Sequence, residues 1–182
     1  MITESDILNA SVLIVDDQAT NVQLLAALLS EAGYSKVMST MNPRDVCALQ
    51  AQNHFDLILL DLKMPGMDGF EVMEGLKRDN VDSYLSVIVL TAEPGHKLRA
   101  LQVGAKDFIS KPFDLVEVKA RIHNMLEIRL CHKRIACHND TLEQKIKERT
   151  AELVESQARF RALTALASDW YWEQNEAGDF TT

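Results

Sequence analysis

No stretch of this chain approaches the ~20 consecutive apolar residues that a membrane-spanning helix requires. The opening MITESDILNA carries neither a basic n-region nor an apolar h-region, so a secretory signal is not expected. Cysteine is scarce: Cys47, Cys131 and Cys137 are odd in number and lack framework spacing, which fits a reducing compartment and makes the cytoplasm the expected location. Positive charge is also short. With 19 Lys and Arg against 27 Asp and Glu, the net charge of −8 supplies no bulk attraction to nucleic-acid phosphates. Neither a nucleic acid nor a membrane is expected as a partner. The last absence is local: between Phe113 and Ala177 there is no glycine and no proline, the two strongest breaks in a helix. What remains is ordinary for a globular protein, 47% hydrophobic and 25% charged, and 182 residues suggest one domain with something added, or two small domains.

The first two-thirds alternate between two patterns. Apolar runs at 12–15, 57–60 and 87–90, with weaker ones at 36–39 and 107–109, read as strands covered on both faces, hence a parallel sheet. Between them lie helical patterns. Val22, Leu25, Leu28 and Leu29 share a face that ends at Gly33, a C-cap candidate, and Pro43 is placed to open a second helix. Phe70, Met73 and Leu76 mark a third, and Leu98, Leu101 and Val103 a fourth ending near Gly104. Five strand–helix alternations predict an α/β fold, a doubly wound parallel sheet.

In such sheets, ligands bind beyond the carboxyl ends of the strands. Those ends carry Asp16 and Asp17 after VLIV, Asp61 after LILL, Thr91 after VIVL, and Lys111 just past the fifth run. One Asp at a strand end is commonly a helix N-cap. Three on one rim would repel, and one would protonate unless a cation bound. A hard divalent ion with oxygen ligands removes that conflict, so Asp16, Asp17 and Asp61 read as a Mg²⁺ site. A carboxylate there can also act as a nucleophile and form an aspartyl phosphate. Lys111 could neutralise a transferring phosphoryl group, and Thr91 could donate a hydrogen bond to it. Lys63 and Glu93 each follow a rim residue by two positions; as an ion pair over the phosphoryl group they would modulate its exposure to water.

The motifs VLIVDD, LLDLKMPGMDGFE, VIVLTA and DFISKPF, taken together, resemble the response-regulator receiver domain of two-component signalling over about residues 10 to 130. The resemblance implies a five-stranded flavodoxin-like fold. It implies that Asp61 accepts phosphate from a histidine kinase or phosphotransfer protein. Asp17 and Asp61 would ligate Mg²⁺ directly, Asp16 through water, and the Lys63 backbone carbonyl would complete the protein ligands. Thr91 and Phe108 would be the switch pair, Lys111 would pair with the acyl phosphate, and the Lys111-Pro112 peptide would be cis. Phosphorylation would act as a population shift in the surface around the family's fourth helix and fifth strand.

From residue 114 a single long helix is expected. A seven-residue repeat places Met125, Ile128, Ile135, Asn139, Leu142, Ile146, Leu153, Phe160 and Leu163 on one seam, interrupted by His132, Arg149 and Ser156. That predicts a homodimeric coiled coil, with Asn139 setting register. CHKRIACH has metal-ligand residue types, but its two Cys are six apart on a helix and point in different directions, which argues against zinc. Cys131 could instead bridge two chains on oxidation in vitro. The stretch from ARFRAL through DWYWEQ resembles the opening of a PAS domain, followed by a turn signal at 176–179. The expected division is a lead over 1–10, a receiver over 11–130, a signalling coiled coil over 131–165 and an incomplete PAS-like start over 166–182. The output of the parent protein would lie elsewhere, with a cyclic-dinucleotide cyclase or phosphodiesterase one candidate.

Two other functions share some of these residues. A phosphohydrolase of the haloacid-dehalogenase type wants a second acid two residues after the nucleophile, where this chain has Lys63. A receiver-like scaffold that dimerises without phosphate has no need of the Asp16, Asp17, Asp61, Thr91 and Lys111 set. The chain is therefore expected to be a signalling module and not an enzyme.

Overall fold

A computed structural model of the chain describes residues 2–79, 84–168, 173–174 and 180–181. The chain divides into two compact units, Met1–Arg134 and Ile135–Thr182. In the first, five parallel strands form one sheet: β1 (Ser11–Val15), β2 (Lys36–Thr40), β3 (Leu57–Asp61), β4 (Ser86–Thr91) and β5 (Asp107–Ser110), in the order β2-β1-β3-β4-β5. This is the doubly wound sheet that the strand–helix alternation predicts, with a flavodoxin-like strand order.

Strand alternation builds a core on each face of the sheet. Val12, Ile14, Leu57, Leu59, Ile88, Leu90 and Ile109 pack against α2 (Ala19–Glu31) and the first turns of α6 (Leu115–Ser168). Leu13, Val15, Ile58, Leu60, Val87 and Val89 pack on the other side, against α3 (Val46–Asn53), α4 (Gly69–Asp79) and α5 (Pro94–Val103). Both sides of β3 are buried, which is why its sequence is a continuous apolar run and not an alternating one. Each fully buried Leu or Ile contributes about 1.5–3 kcal/mol, so the centre of the sheet is a stiff platform for whatever stands at its rim.

Several local expectations change. Residues 1–10 hold more than a lead: α1 (Glu4–Leu8) is a one-turn helix closed by a Thr3–Asp6 capping box, and it buries Ile7 in the core. Pro43 opens a 3-10 turn, Pro43–Asp45, and α3 starts only after it. On α5, Leu98 and Leu101 are 67% and 41% exposed, while Ala100 is fully buried. That helix meets the sheet through a narrow small-residue face, and its leucines point outward.

The predicted long helix is α6, 54 residues. Asp114 caps it by accepting the Val116 and Glu117 N–H groups. Two seam assignments are corrected. Met125 is buried in the first core with Val118, Ile122 and Leu126, so the receiver's own packing uses it and no second helix can. His132 stacks on Tyr84, ring centroids 3.8 Å apart, and so faces its own domain. Lys133 nearby reaches the buried Asp56 carboxylate at 3.1 Å, and Ser11 also donates to Asp56. In the second unit, α6 continues to Ser168, and Glu173–Gln174 pairs antiparallel with Phe180–Thr181. Most of the PAS-like stretch and the turn at 176–179 lie outside the described residues.

Candidate functional site

The sheet register brings the ends of β1, β3, β4 and β5 to one edge, with Val15 level with Leu60, Asp61 with Leu90, and Thr91 with Ser110. Asp16 and Asp17 leave β1, Asp61 closes β3, Thr91 closes β4, and Lys111 follows β5. One oxygen from each of Asp16, Asp17 and Asp61 lies within 4.8 Å of the others.

Asp16 has no exposed surface. Its charge is met by the Gln18 N–H at 2.9 Å, the Asn21 amide at 3.0 and 3.2 Å, and the Lys111 ammonium at 2.8 Å. Lys111 also reaches Asp61 at 3.0 Å, so one amine bridges two carboxylates. Burial holds the Asp61 carboxyl above the usual carboxylate range, against the pull of Lys111, with Asp16 adding to the rise. Asp17 is different: its Oδ1 is shut off from solvent and has no hydrogen-bond partner among the described residues. An unmatched buried carboxylate oxygen beside two more acids is the arrangement a hard cation resolves.

Asp61, Lys63, Thr91, Ala92, Glu93, His96, Lys111 and Gln18 line a cavity of about 140 Å³. The Thr91 hydroxyl is held by the Glu93 backbone, accepting its N–H at 3.0 Å. Lys63 and Glu93 form an ion pair at 3.1 Å, and that hydrogen bond, with charge from His96, holds the Glu93 carboxyl below its ordinary range. The Lys111-Pro112 peptide is cis. Phe108 is half-buried on β5 with the Lys97 ammonium 4.7 Å from its ring centroid. Arg121 fixes the same strand from α6 by a two-point bond to Asp107, at 2.7 and 2.8 Å.

The loop after β3 owes its path to glycine. A Cβ on Gly69 would stand 2.5 Å from the Asp61 carbonyl oxygen and 2.9 Å from Leu62 Cα. Only hydrogen fits there, so α4 can begin directly behind Asp61. Asp68 and Glu71 then cap α4 reciprocally. Sequence reasoning missed four contributors: Gln18, Asn21, His96 and Gly69. Asn21 was findable, since position 21 lies on the first turn of the helix that follows Asp16.

An open, doubly wound α/β domain with an acidic rim bridged by one lysine is thus defined by fold and site together. The chain belongs to the response regulator receiver domain family, whose sequence pattern matches residues 12–123. Over 125 residues it is 39% identical to the response regulator PleD of Caulobacter vibrioides, an alignment covering 68% of this chain and 27% of that protein. Over 165 residues it is 30% identical to a probable cyclic di-GMP phosphodiesterase of Vibrio cholerae, covering 89% of this chain and 37% of that protein. Among solved structures, the chemotaxis protein CheY4 of Vibrio cholerae superposes with a TM-score of 0.60 at 29% identity, over 64% of this chain and 98% of that one. The chain spans about a quarter to two-fifths of the length of these two curated relatives. Among the described residues, no helix is long and apolar enough to cross a membrane.

Proposed function

We propose that this chain is the phosphoacceptor module of a two-component relay, with Asp61 as the acceptor and a histidine kinase or phosphotransfer protein as the donor. The observation that carries the reading is the rim itself: Asp61 opens onto a cavity large enough for a phosphoryl group, 3.0 Å from a lysine ammonium and beside two further acids. An Asp61 carboxylate oxygen attacks the phosphorus of the donor's phosphohistidine. The new P–O bond forms as the P–N bond breaks, and its electron pair returns to the imidazole nitrogen. Lys111 is placed to pair with a phosphoryl oxygen, and Thr91 to exchange its Glu93 backbone bond for one to the phosphoryl group. Phe108, on the neighbouring strand, would follow Thr91 inward.

The donor set suits Mg²⁺, because the unmatched Asp17 oxygen and the clustered carboxylates are hard oxygen ligands. Asp16, Asp17, Asp61 and the Lys63 carbonyl would hold it, and when bound it would neutralise charge on the transferring group. The Lys63–Glu93 pair forms the outer wall of the cavity and would slow the approach of water to an acyl phosphate.

The relay beyond the receiver would run through α6 (131–165) as a homodimeric coiled coil. Ile128, Ile135, Leu142, Ile146, Leu153, Phe160 and Leu163 are all exposed at heptad spacing, and Asn139 would set the register. A second copy of the same helix is the occupant such spacing fits. Residues 166–182 would open a PAS-like domain. The similarity to the Vibrio cholerae phosphodiesterase extends well past the receiver, which favours an output in cyclic-dinucleotide turnover in the parent protein.

Intact mass after incubation with acetyl phosphate and Mg²⁺ tests the acceptor. One added phosphate is expected on the wild type, and none on Asp61→Asn or without Mg²⁺. An adduct on Asp61→Asn would place the acceptor elsewhere.

A further inference from the structure

Glu93 lines the Asp61 cavity with both carboxylate oxygens engaged. Oε1 takes the Lys63 ammonium and Oε2 takes the His96 imidazole, each at 3.1 Å. These two anchors are unequal. The Lys63 side chain is 84% exposed, and a lysine so placed is held in one geometry only at the expense of its rotamer entropy. His96 is braced. It stands in the first turn of α5, and its ring meets buried Phe70 of α4 edge-on, at 5.8 Å and 84°. Arg99, one turn further along α5, lies 4.1 Å over the same Phe70 ring, so a second contact ties α5 to α4.

On this geometry, and resting on the phosphoacceptor reading above, we propose that His96 is the residue that positions Glu93 in the cavity wall and so sets how long an acyl phosphate on Asp61 survives. Loss of that phosphate is hydrolysis. The oxygen of a water molecule attacks phosphorus, the bond to Asp61 breaks with its electron pair returning to the carboxylate, inorganic phosphate leaves, and a proton passes to solvent. Glu93, held in the cavity wall, obstructs the attacking water. His96 lines the same cavity, and its effect on the decay runs through the Glu93 carboxylate that it holds.

The test is the decay of phosphorylated protein, loaded with acetyl phosphate and desalted into Mg²⁺ buffer, followed by intact mass. Glu93→Ala and His96→Ala should each decay about two- to fivefold faster than wild type, the range an exposed ion pair supports. The double variant should decay no faster than Glu93→Ala alone. Lys63→Ala should have the smaller effect, and His96→Gln, whose amide can donate to Glu93 from the same place, should stay near wild type. A wild-type rate for His96→Ala, or a double variant whose effect is the product of the singles, overturns the proposal. If the wild type takes up no phosphate, the acceptor reading fails and the lifetime claim falls with it. The positioning claim is then decided separately, by NMR titration of the Glu93 carboxyl in unphosphorylated protein: it should titrate higher in His96→Ala, and an unmoved titration overturns it.

Discussion

At the rim of the sheet, charge is buried; along the distal part of α6, apolar side chains are exposed. Asp16 has no exposed surface and is met by an amide, a backbone N–H and an ammonium. Leu153, Phe160 and Leu163 are 64%, 67% and 65% exposed. Each region inverts the usual distribution of residues, and each leaves something unmatched. At the rim it is one carboxylate oxygen of Asp17, which asks for a cation. On the helix it is a stripe of apolar surface, which asks for another helix. The rim meets most of its needs within the chain, whereas the stripe meets none of them among the described residues of the second unit.

The largest effect should come from removing part of the stripe. Leu142→Ala keeps helix propensity and would take two leucines out of the proposed dimer. At about 1.5–3 kcal/mol per buried leucine, dissociation should become at least about a hundredfold easier. Sedimentation at tens of micromolar reads this directly; an unchanged mass for Leu142→Ala, or a monomeric wild type, would mean the stripe has another occupant. The rim should not notice, and acetyl phosphate should load both proteins alike.

The next effect belongs to the rim. Lys111→Met removes the ammonium that bridges Asp16 and Asp61 and leaves two buried acids facing each other. Breaking such a pair from one side costs about 3 kcal/mol, which urea unfolding at neutral pH would show. Millimolar Mg²⁺ should recover more stability in Lys111→Met than it adds to wild type, because a cation can take over part of the amine's work. Equal gains would separate the amine site from the cation site. Gly69→Ala should come third, at about 2 kcal/mol, since its Cβ meets backbone atoms that cannot move aside.

How much of this the sequence disclosed follows the same division. The buried strands were legible because a strand covered on both faces has no choice but a continuous apolar run. The rim followed from topology, which is why Asp16, Asp17, Asp61, Thr91 and Lys111 could be named together. The partners of Asp16 were less legible: Gln18 contributes a backbone N–H, which any residue could supply, and Asn21 is one polar residue among several on α2. His96 could not be found by spacing, because its role depends on the angle at which α5 meets α4. The heptad reading went wrong at Met125 and His132 for one reason. Periodicity reports which side chains share a stripe, and the first turns of α6 spend that stripe on the receiver's own core and on Tyr84. The capping box is spelled TESD in the sequence, yet a helix of five residues has too short a pattern to announce itself.

The smallest effect sharpens the contrast most. The folded-state titration of Asp61 lies above its unfolded value, chiefly from burial, so the folded protein binds this proton more tightly than the unfolded chain. Stability from that protonated group is complete below the ordinary carboxylate value of about 4 and is lost as pH rises through the folded value. In Mg²⁺-free buffer, Asp61→Asn should therefore be more stable than wild type at pH 7, and the two should converge as pH falls below about 4. Adding Mg²⁺ should narrow or reverse the gap at pH 7, because the cation binds only the carboxylate form. No such pH term is expected from Leu142→Ala, whose loss involves no proton. If Asp61→Asn proves less stable than wild type at pH 7 without Mg²⁺, the lysine bridge outweighs burial, and the rim would be a self-sufficient ion pair with no standing demand for a metal.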